Sequence, residues 1–166
     1  MLLQTGRRAA EVAALRWRDV RIQANGRARL TFEHAKGNER LQDDLPQSTT
    51  NALLRWLHRW YGPDMGRLTP DAPLWINVAE HSLGQYGEAL GVRSLNVICK
   101  TWLGTSKVHA TRHSFAHNSE KIGLSVSEIQ GRLAHKSLAT TGRYLASLRR
   151  AENRKADELA QLYGIE

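Results

Sequence analysis

The sequence predicts an α+β domain that is mainly helical and contains one small three-stranded antiparallel sheet. Three observations carry this prediction: apolar residues at helical spacing, an Asn25-Gly26 turn between strand-like segments, and helix-capping signals in the C-terminal third. With 166 residues, the chain is long enough for one domain with its own hydrophobic core.

The N-terminal part contains the predicted sheet. We expect Thr5 to cap a helix that runs to about residue 16, because apolar residues there share one helical face. Asn25-Gly26 is a strong signal for a hairpin turn. The three expected strands lie near residues 20–23, 29–33 and 40–45.

Helices are predicted for most of the remaining chain. Apolar spacing predicts them over residues 47–60, 93–103 and 111–122, with Gly123 as the stop of the last one. Ser125-x-x-Glu128 is a capping box that opens the next helix. Beyond it, Ser137 can cap a short helix that carries Tyr144.

The chain is basic, with a formal net charge of +8 at pH 7. An excess of this size favours a polyanionic partner, usually nucleic acid. The single cysteine, Cys99, excludes an intrachain disulfide and fits a reducing cytoplasm. No apolar run reaches the roughly 18 residues of a membrane helix, so we expect no membrane partner.

Five short boxes contain polar residues whose types suit phosphoryl transfer. They are T-G-R-R-A-A-E with Arg8, A-K-G-N-E-R with Lys36, H-A-T-R with His109 and Arg112, L-A-H-K-S with His135, and T-T-G-R-Y with Tyr144. Each box is common alone, but all five in this order with these gaps form a specific pattern. The pattern resembles that of the tyrosine recombinases, or phage-type integrases, over residues 1–150.

The resemblance implies the fold of the DNA breaking-rejoining enzymes and an activity in site-specific DNA recombination, by integration or excision. In that reaction a tyrosine, here Tyr144, attacks a DNA phosphate and forms a 3′-phosphotyrosine. The family's hairpin lysine, here Lys36, protonates the leaving 5′ oxygen. The covalent link keeps the phosphodiester energy, so the resemblance implies neither a cofactor nor a metal.

Charge explains why the other residue types belong together. Phosphodiester transfer builds negative charge on the non-bridging oxygens of the phosphate. The planar guanidinium of arginine can bind two such oxygens at once through parallel hydrogen bonds. We therefore expect Arg8 and Arg112 to clamp the phosphate, with a third hydrogen bond from His135. The Tyr144 phenol has an ordinary pKa of about 10 and needs a proton acceptor, for which His109 is the candidate.

Alternatives to this interpretation exist for both the site and the function. His109, His113 and His117 repeat at i, i+4 and i+8, as on a metal-binding helix face, but no Glu or Cys completes a motif. We favour structural roles for His113 and His117. The alternative functions are a truncated, non-catalytic DNA-binding remnant or regulator with the same fold, and an RNA-binding domain that only the charge supports.

The chain departs from the family pattern at two positions and in length. Arg7 stands where an apolar residue is usual, which is tolerable if its side chain points to solvent. Ala134 replaces the glycine of L-G-H, and its methyl group can shift His135 if the backbone needs a glycine conformation. We expect one catalytic domain over residues 1–166, without the N-terminal core-binding domain of the family.

Residues 146–166 are expected to form an amphipathic helical tail. The tail either packs on its own core or docks on a neighbouring protomer, and the resemblance favours docking because recombinases act as tetramers on DNA. The expected partners are double-stranded DNA and other recombinase protomers. We expect a monomer or weak dimer when the protein is free, and a cytoplasmic, nucleoid-associated location.

Overall fold

The computed structural model describes residues 1–33, 40–79, 84–105 and 107–134. Its elements are α1 (Leu2–Thr5), α2 (Ala9–Ala13), β1 (Val20–Ile22), β2 (Ala28–Glu33), β3 (Arg40–Asp44), α3 (Gln47–Tyr61), α4 (Val92–Leu103), α5 (His109–Lys121) and α6 (Val126–Leu133). Short 3-10 turns lie at Trp17–Asp19 and Met65–Arg67. The predicted mainly helical α+β class is confirmed.

The three strands form one antiparallel sheet in the order β1-β2-β3, as predicted. The turn between β1 and β2 holds Gly26 at φ 75°, a conformation that glycine adopts without strain. Strands β2 and β3 pair from Arg29 opposite Asp44 to Glu33 opposite Arg40. Residues 34–39, which include Lys36, connect these two paired ends along the chain.

The main core lies between the inner face of β2 and helix α3. Alternate residues of β2 are buried, and they pack with apolar residues of α2, α3 and the segment after the 3-10 turns. Its buried members are Val12, Leu15, Ala28, Leu30, Phe32, Leu45, Leu53, Leu57 and Leu74. A second cluster joins α5 to α6 through Phe115, Ala116, Ile129 and Leu133.

The prediction of one helix over residues 5–16 is wrong. Helix α1 ends at Thr5, Gly6 follows in the left-handed region at φ 63°, and α2 begins only at Ala9. A Cβ atom at Gly6 would lie 2.4 Å from Cδ1 of Phe115, so the chain turns where α5 approaches it closely. Thr5 is therefore a buried helix end and does not cap the following helix.

The later helices lie where the sequence predicts them. The residues that they bury match the predicted apolar faces less well. Ser125 caps α6 as predicted: its hydroxyl accepts a bond from the Glu128 N–H at 3.3 Å, and the Glu128 carboxylate accepts one from the Ser125 N–H at 2.7 Å. On α4, however, Trp102 is 80% exposed, and the buried residues include Leu95 and Cys99.

The segment predicted to carry Tyr144 on a short helix, and the tail over 146–166, lie outside the described residues. Within the part of the chain that is described, no helix is long and apolar enough to cross a membrane.

Candidate active site

Three of the six predicted site residues, Arg8, His109 and Arg112, belong to the described part of the chain. The other three, Lys36, His135 and Tyr144, lie outside it, so their expected roles stay predictions.

Arg8 lies in the extended segment between α1 and α2, at the N-terminus of α2, with φ −69° and ψ 148°. Its side chain is 43% exposed, and its Nη1 atom lies 3.0 Å from Oε1 of Glu11. The same carboxylate accepts a hydrogen bond of 2.8 Å from the Arg8 backbone N–H. Glu11 therefore holds both the backbone and the guanidinium of Arg8 while leaving much of the side chain accessible.

Arg112 is only 3% exposed and lies on the first turn of α5. Its Nη1 atom donates to the carbonyl oxygen of Gly6 at 2.7 Å, and its Nη2 atom donates to the carbonyl oxygen of Leu133. Gly6 precedes Arg8 by two positions, and Leu133 precedes His135 by two positions. One guanidinium therefore joins three of the five boxes that the sequence singled out.

His109 is the first residue of α5, and its ring contacts that of His113 edge to face, with centroids 5.1 Å apart. The pKa of His109 is lowered, first by desolvation and then by the positive charges of His113, Arg112 and Arg8. The positive charges of both arginines thus disfavour protonation of the His109 ring. The lowered pKa favours the neutral ring, which is the form that accepts a proton.

The histidine repeat on α5 was the metal-binding alternative in the sequence. Within the described residues, no group of three or more His, Cys, Asp or Glu side chains could hold a metal ion. His113 contacts His109 and has its own pKa lowered, first by desolvation and then by Arg112. Its place beside His109 makes it a neighbour of the candidate site, beyond the structural role that we expected.

Arg7 does not point to solvent, so the condition under which the sequence made it tolerable is not met. Its side chain is 3% exposed, and its Nε atom donates to Oδ2 of Asp43 at 2.7 Å. Its Nη1 atom donates to the carbonyl oxygen of Arg132 at 2.8 Å. Sequence reasoning missed this residue because Asp43 lies 36 positions away; a charged residue in an apolar position was the one available signal.

Ala134 has the glycine-like conformation that the family pattern predicts for its position. It ends α6 in the left-handed region, at φ 49° and ψ 46°, and is the one non-glycine residue with positive φ in the described segments. Its N–H donates to carbonyl oxygens of the last turn, so the conformation completes the helix end. The backbone of Ala134, a residue with a Cβ atom, is therefore strained directly before His135 in the sequence.

Solved structures of site-specific recombinases share this fold. The chain matches XerA recombinase with a TM-score of 0.67 and 20% identity, covering 98% of this chain and 55% of that one. It matches XerH recombinase bound to its difH substrate in a pre-cleavage complex with a TM-score of 0.67 and 23% identity, covering 98% and 44%. It matches the Tn1549 transposon integrase in complex with circular intermediate DNA with a TM-score of 0.62 and 16% identity, covering 99% and 57%.

The fold is thus that of the recombinase catalytic domain, and the chain spans about half the length of these solved proteins. The model of the phage integrase family matches residues 1–150. The chain therefore belongs to the phage integrase family. Among curated protein sequences, none matches it.

Proposed function

We propose that this domain cleaves and rejoins DNA in site-specific recombination, by integration or excision, through a 3′-phosphotyrosine at Tyr144. One observation carries the proposal: the Arg112 guanidinium donates to the Gly6 carbonyl oxygen, so the segment that leads to Arg8 lies against the first turn of α5, which carries the exposed His109. This cluster of cations beside a neutral proton acceptor suits the transfer of a negatively charged phosphoryl group.

In the proposed cleavage step, the phenolic oxygen of Tyr144 attacks the phosphorus and passes its proton to neutral His109. The bond between phosphorus and the 5′ oxygen breaks, and Lys36 gives that oxygen a proton. Arg8, with its exposed guanidinium, and His135 bind the non-bridging oxygens as they gain charge.

Arg112 has a different part in this mechanism from Arg8. Its Nη1 and Nη2 atoms donate to the carbonyl oxygens of Gly6 and Leu133, so it holds together the segments that lead to Arg8 and His135. Its buried positive charge also strengthens the field at His109. We propose that it acts on the phosphate from this position, as the inner member of the clamp.

Trapping of a covalent adduct tests the proposal. The protein would be mixed with a pool of nicked duplexes of randomised sequence, in which the cleaved fragment diffuses away, and the adduct would be recovered on a denaturing gel. We expect Tyr144→Phe to abolish the adduct and to leave DNA affinity nearly intact, because only the nucleophilic oxygen is lost. Arg8→Ala should slow adduct formation by on the order of 10² or more.

Tyr86→Phe is the matched control, because Tyr86 is an exposed tyrosine of the same chain and should keep full adduct formation. An adduct that survives Tyr144→Phe would place the nucleophile elsewhere. If the wild-type protein binds DNA without forming an adduct, the non-catalytic DNA-binding alternative is favoured.

The assembly is part of the same proposal. Residues 1–166 act as one catalytic domain, with 146–166 as a tail that exchanges between protomers on double-stranded DNA. The protein is a monomer or weak dimer when free and a tetramer on DNA, because head-to-tail contacts close only in the complete ring.

A further inference from the structure

In the described part of the chain, the side chain of Arg7 contacts Asp43, Phe32 and Arg132. Its Nε atom lies 2.7 Å from Oδ2 of Asp43, and the two side chains are 3% and 7% exposed. Its guanidinium carbon lies 5.2 Å from the centre of the Phe32 ring. Its Nη1 atom donates to the carbonyl oxygen of Arg132 at 2.8 Å.

These contacts connect the parts of the protein that lead to the predicted site residues. Phe32 lies on β2 and Asp43 on β3, the two strands on either side of the residues that include Lys36. Arg132 lies in the last turn of α6, three positions before His135. Arg7 itself is bonded to Arg8 through the peptide backbone.

The carbonyl bond has a physical reason at the end of α6. The last carbonyl groups of a helix lack partners within the helix, and cationic side chains satisfy them and interact well with the helix dipole. Arg7 binds the Arg132 carbonyl, and Arg112 binds the next carbonyl, that of Leu133. Two guanidinium groups thus fix the end of the helix that precedes His135.

The inward direction of Arg7 contrasts with the outward direction of Arg8, the next residue of the chain. The Arg7 side chain is 3% exposed and is held by Asp43, whereas the Arg8 side chain is 43% exposed. An Arg7 side chain fixed in this way restricts the backbone from which Arg8 projects.

We propose that Arg7 is a positioning residue of the cleavage site, which fixes the outward direction of Arg8 and the end of α6 before His135. The proposal rests on the proposed function and adds a residue to it. Stability alone is a weak explanation for the buried Arg7–Asp43 pair, because apolar pairs of similar volume often stabilise a protein equally well.

The same physics defines the test variant. Removing Arg7 alone would leave a buried, unpaired Asp43 and risk unfolding, whereas Arg7→Met/Asp43→Leu removes both charges and keeps the side-chain volume. The matched control is Arg29→Met/Asp44→Leu, which removes the exposed pair on the same two strands, where Nε and Oδ1 are 2.6 Å apart. If the test variant fails to fold, Arg7→Lys replaces it. Lysine keeps the positive charge but lacks the planar guanidinium that donates to Asp43 and Arg132 at the same time.

The first readout separates catalysis from binding. Single-turnover adduct formation would be measured across DNA concentrations, at a temperature where circular dichroism shows both variants folded. We expect the rate at saturating DNA to fall by on the order of 10- to 10²-fold in the test variant, with little change in the half-saturating DNA concentration. A saturating rate equal to that of the control would overturn the proposal.

The second readout needs no activity. The charge of Arg8 helps to lower the pKa of His109, so Arg8→Ala should raise the His109 titration midpoint in NMR. The test variant removes one positive and one negative charge, so its net charge does not change. If its His109 midpoint rises as in Arg8→Ala, Arg8 has moved away from its position. A His109 midpoint equal to that of Arg29→Met/Asp44→Leu overturns the positioning role. If wild type forms no adduct, the proposed catalysis fails, while this titration still decides the role of Arg7.

Discussion

Arg8 and Arg112 have different surroundings although both belong to the predicted clamp. Arg8 is 43% exposed and paired with Glu11, whereas Arg112 is 3% exposed and bonded to two carbonyl oxygens. Loss of Arg112 would leave those buried carbonyls without their donor, at a cost of about 1–3 kcal/mol per group. Arg8 is therefore the cleaner position for a substitution that reports on chemistry.

The pH dependence of cleavage follows from the lowered pKa of His109. The neutral ring accepts the proton, so the rate should fall as the pH drops through a pKa below the usual value of about 6.5. The measurement is the second-order rate constant for adduct formation at low DNA concentration, which reports groups of the free protein.

His113→Gln should shift this pH profile in a defined direction. The positive charge of His113 is the second cause of the lowered His109 pKa, after desolvation, so its removal should move the acid limb to higher pH. A limb that stays in place, or moves to lower pH, would contradict the assignment of His109 as the proton acceptor.

At the residue scale, the sequence supplied candidates for the site but not their surroundings. Arg8, His109 and Arg112 were chosen because their types and order match the family pattern and suit phosphate transfer, and their roles stay predictions. The burial of Arg7 was not predictable, because it depends on Asp43, which lies on another strand and 36 residues away.

Among the elements, the end of α6 offers a direct test of backbone strain. Ala134 has φ 49°, where an L-residue with a Cβ atom is disfavoured by about 1–2 kcal/mol relative to its usual conformation. Ala134→Gly should therefore raise the free energy of unfolding by about 1 kcal/mol, as measured by urea denaturation. Ala10→Gly, in the exposed part of α2, is the control and should lower stability by a similar amount.

The opposite result, an Ala134→Gly protein less stable than wild type, would show that the methyl group makes packing contacts that outweigh the strain. The test does not depend on catalysis, because unfolding is measured on the DNA-free protein.

Helix positions were predictable where local signals define them. The Ser125 capping box and the apolar spacing of α3 are properties of neighbouring residues, and both predictions are confirmed. The break between α1 and α2 was missed, because it reflects the close approach of Phe115 to Gly6, more than 100 positions along the chain. The exposed side of α4 was not predictable either, because helical spacing does not show which apolar residues of a helix are buried against the rest of the protein.

For the whole molecule, the net charge of +8 predicts how the protein would bind DNA under the proposed function. Binding should be weak, poorly specific and strongly salt-dependent, because phosphate contacts release condensed counterions. Fluorescence anisotropy across salt concentrations would give the slope of log affinity against log salt. Arg8→Gln should reduce that slope by about one if Arg8 contacts a phosphate. An affinity that does not change with salt would contradict a phosphate-based interface.

The bonds from Arg112 to the Gly6 and Leu133 carbonyls have a consequence for how such a domain can evolve. A carbonyl oxygen is present at every position of every protein, so a contact with the main chain depends on the path of the backbone and not on the side chain there. Leu133 could change to another apolar residue without removing the acceptor. Mutations can therefore accumulate around the guanidinium over long times while the segments that it joins keep their arrangement.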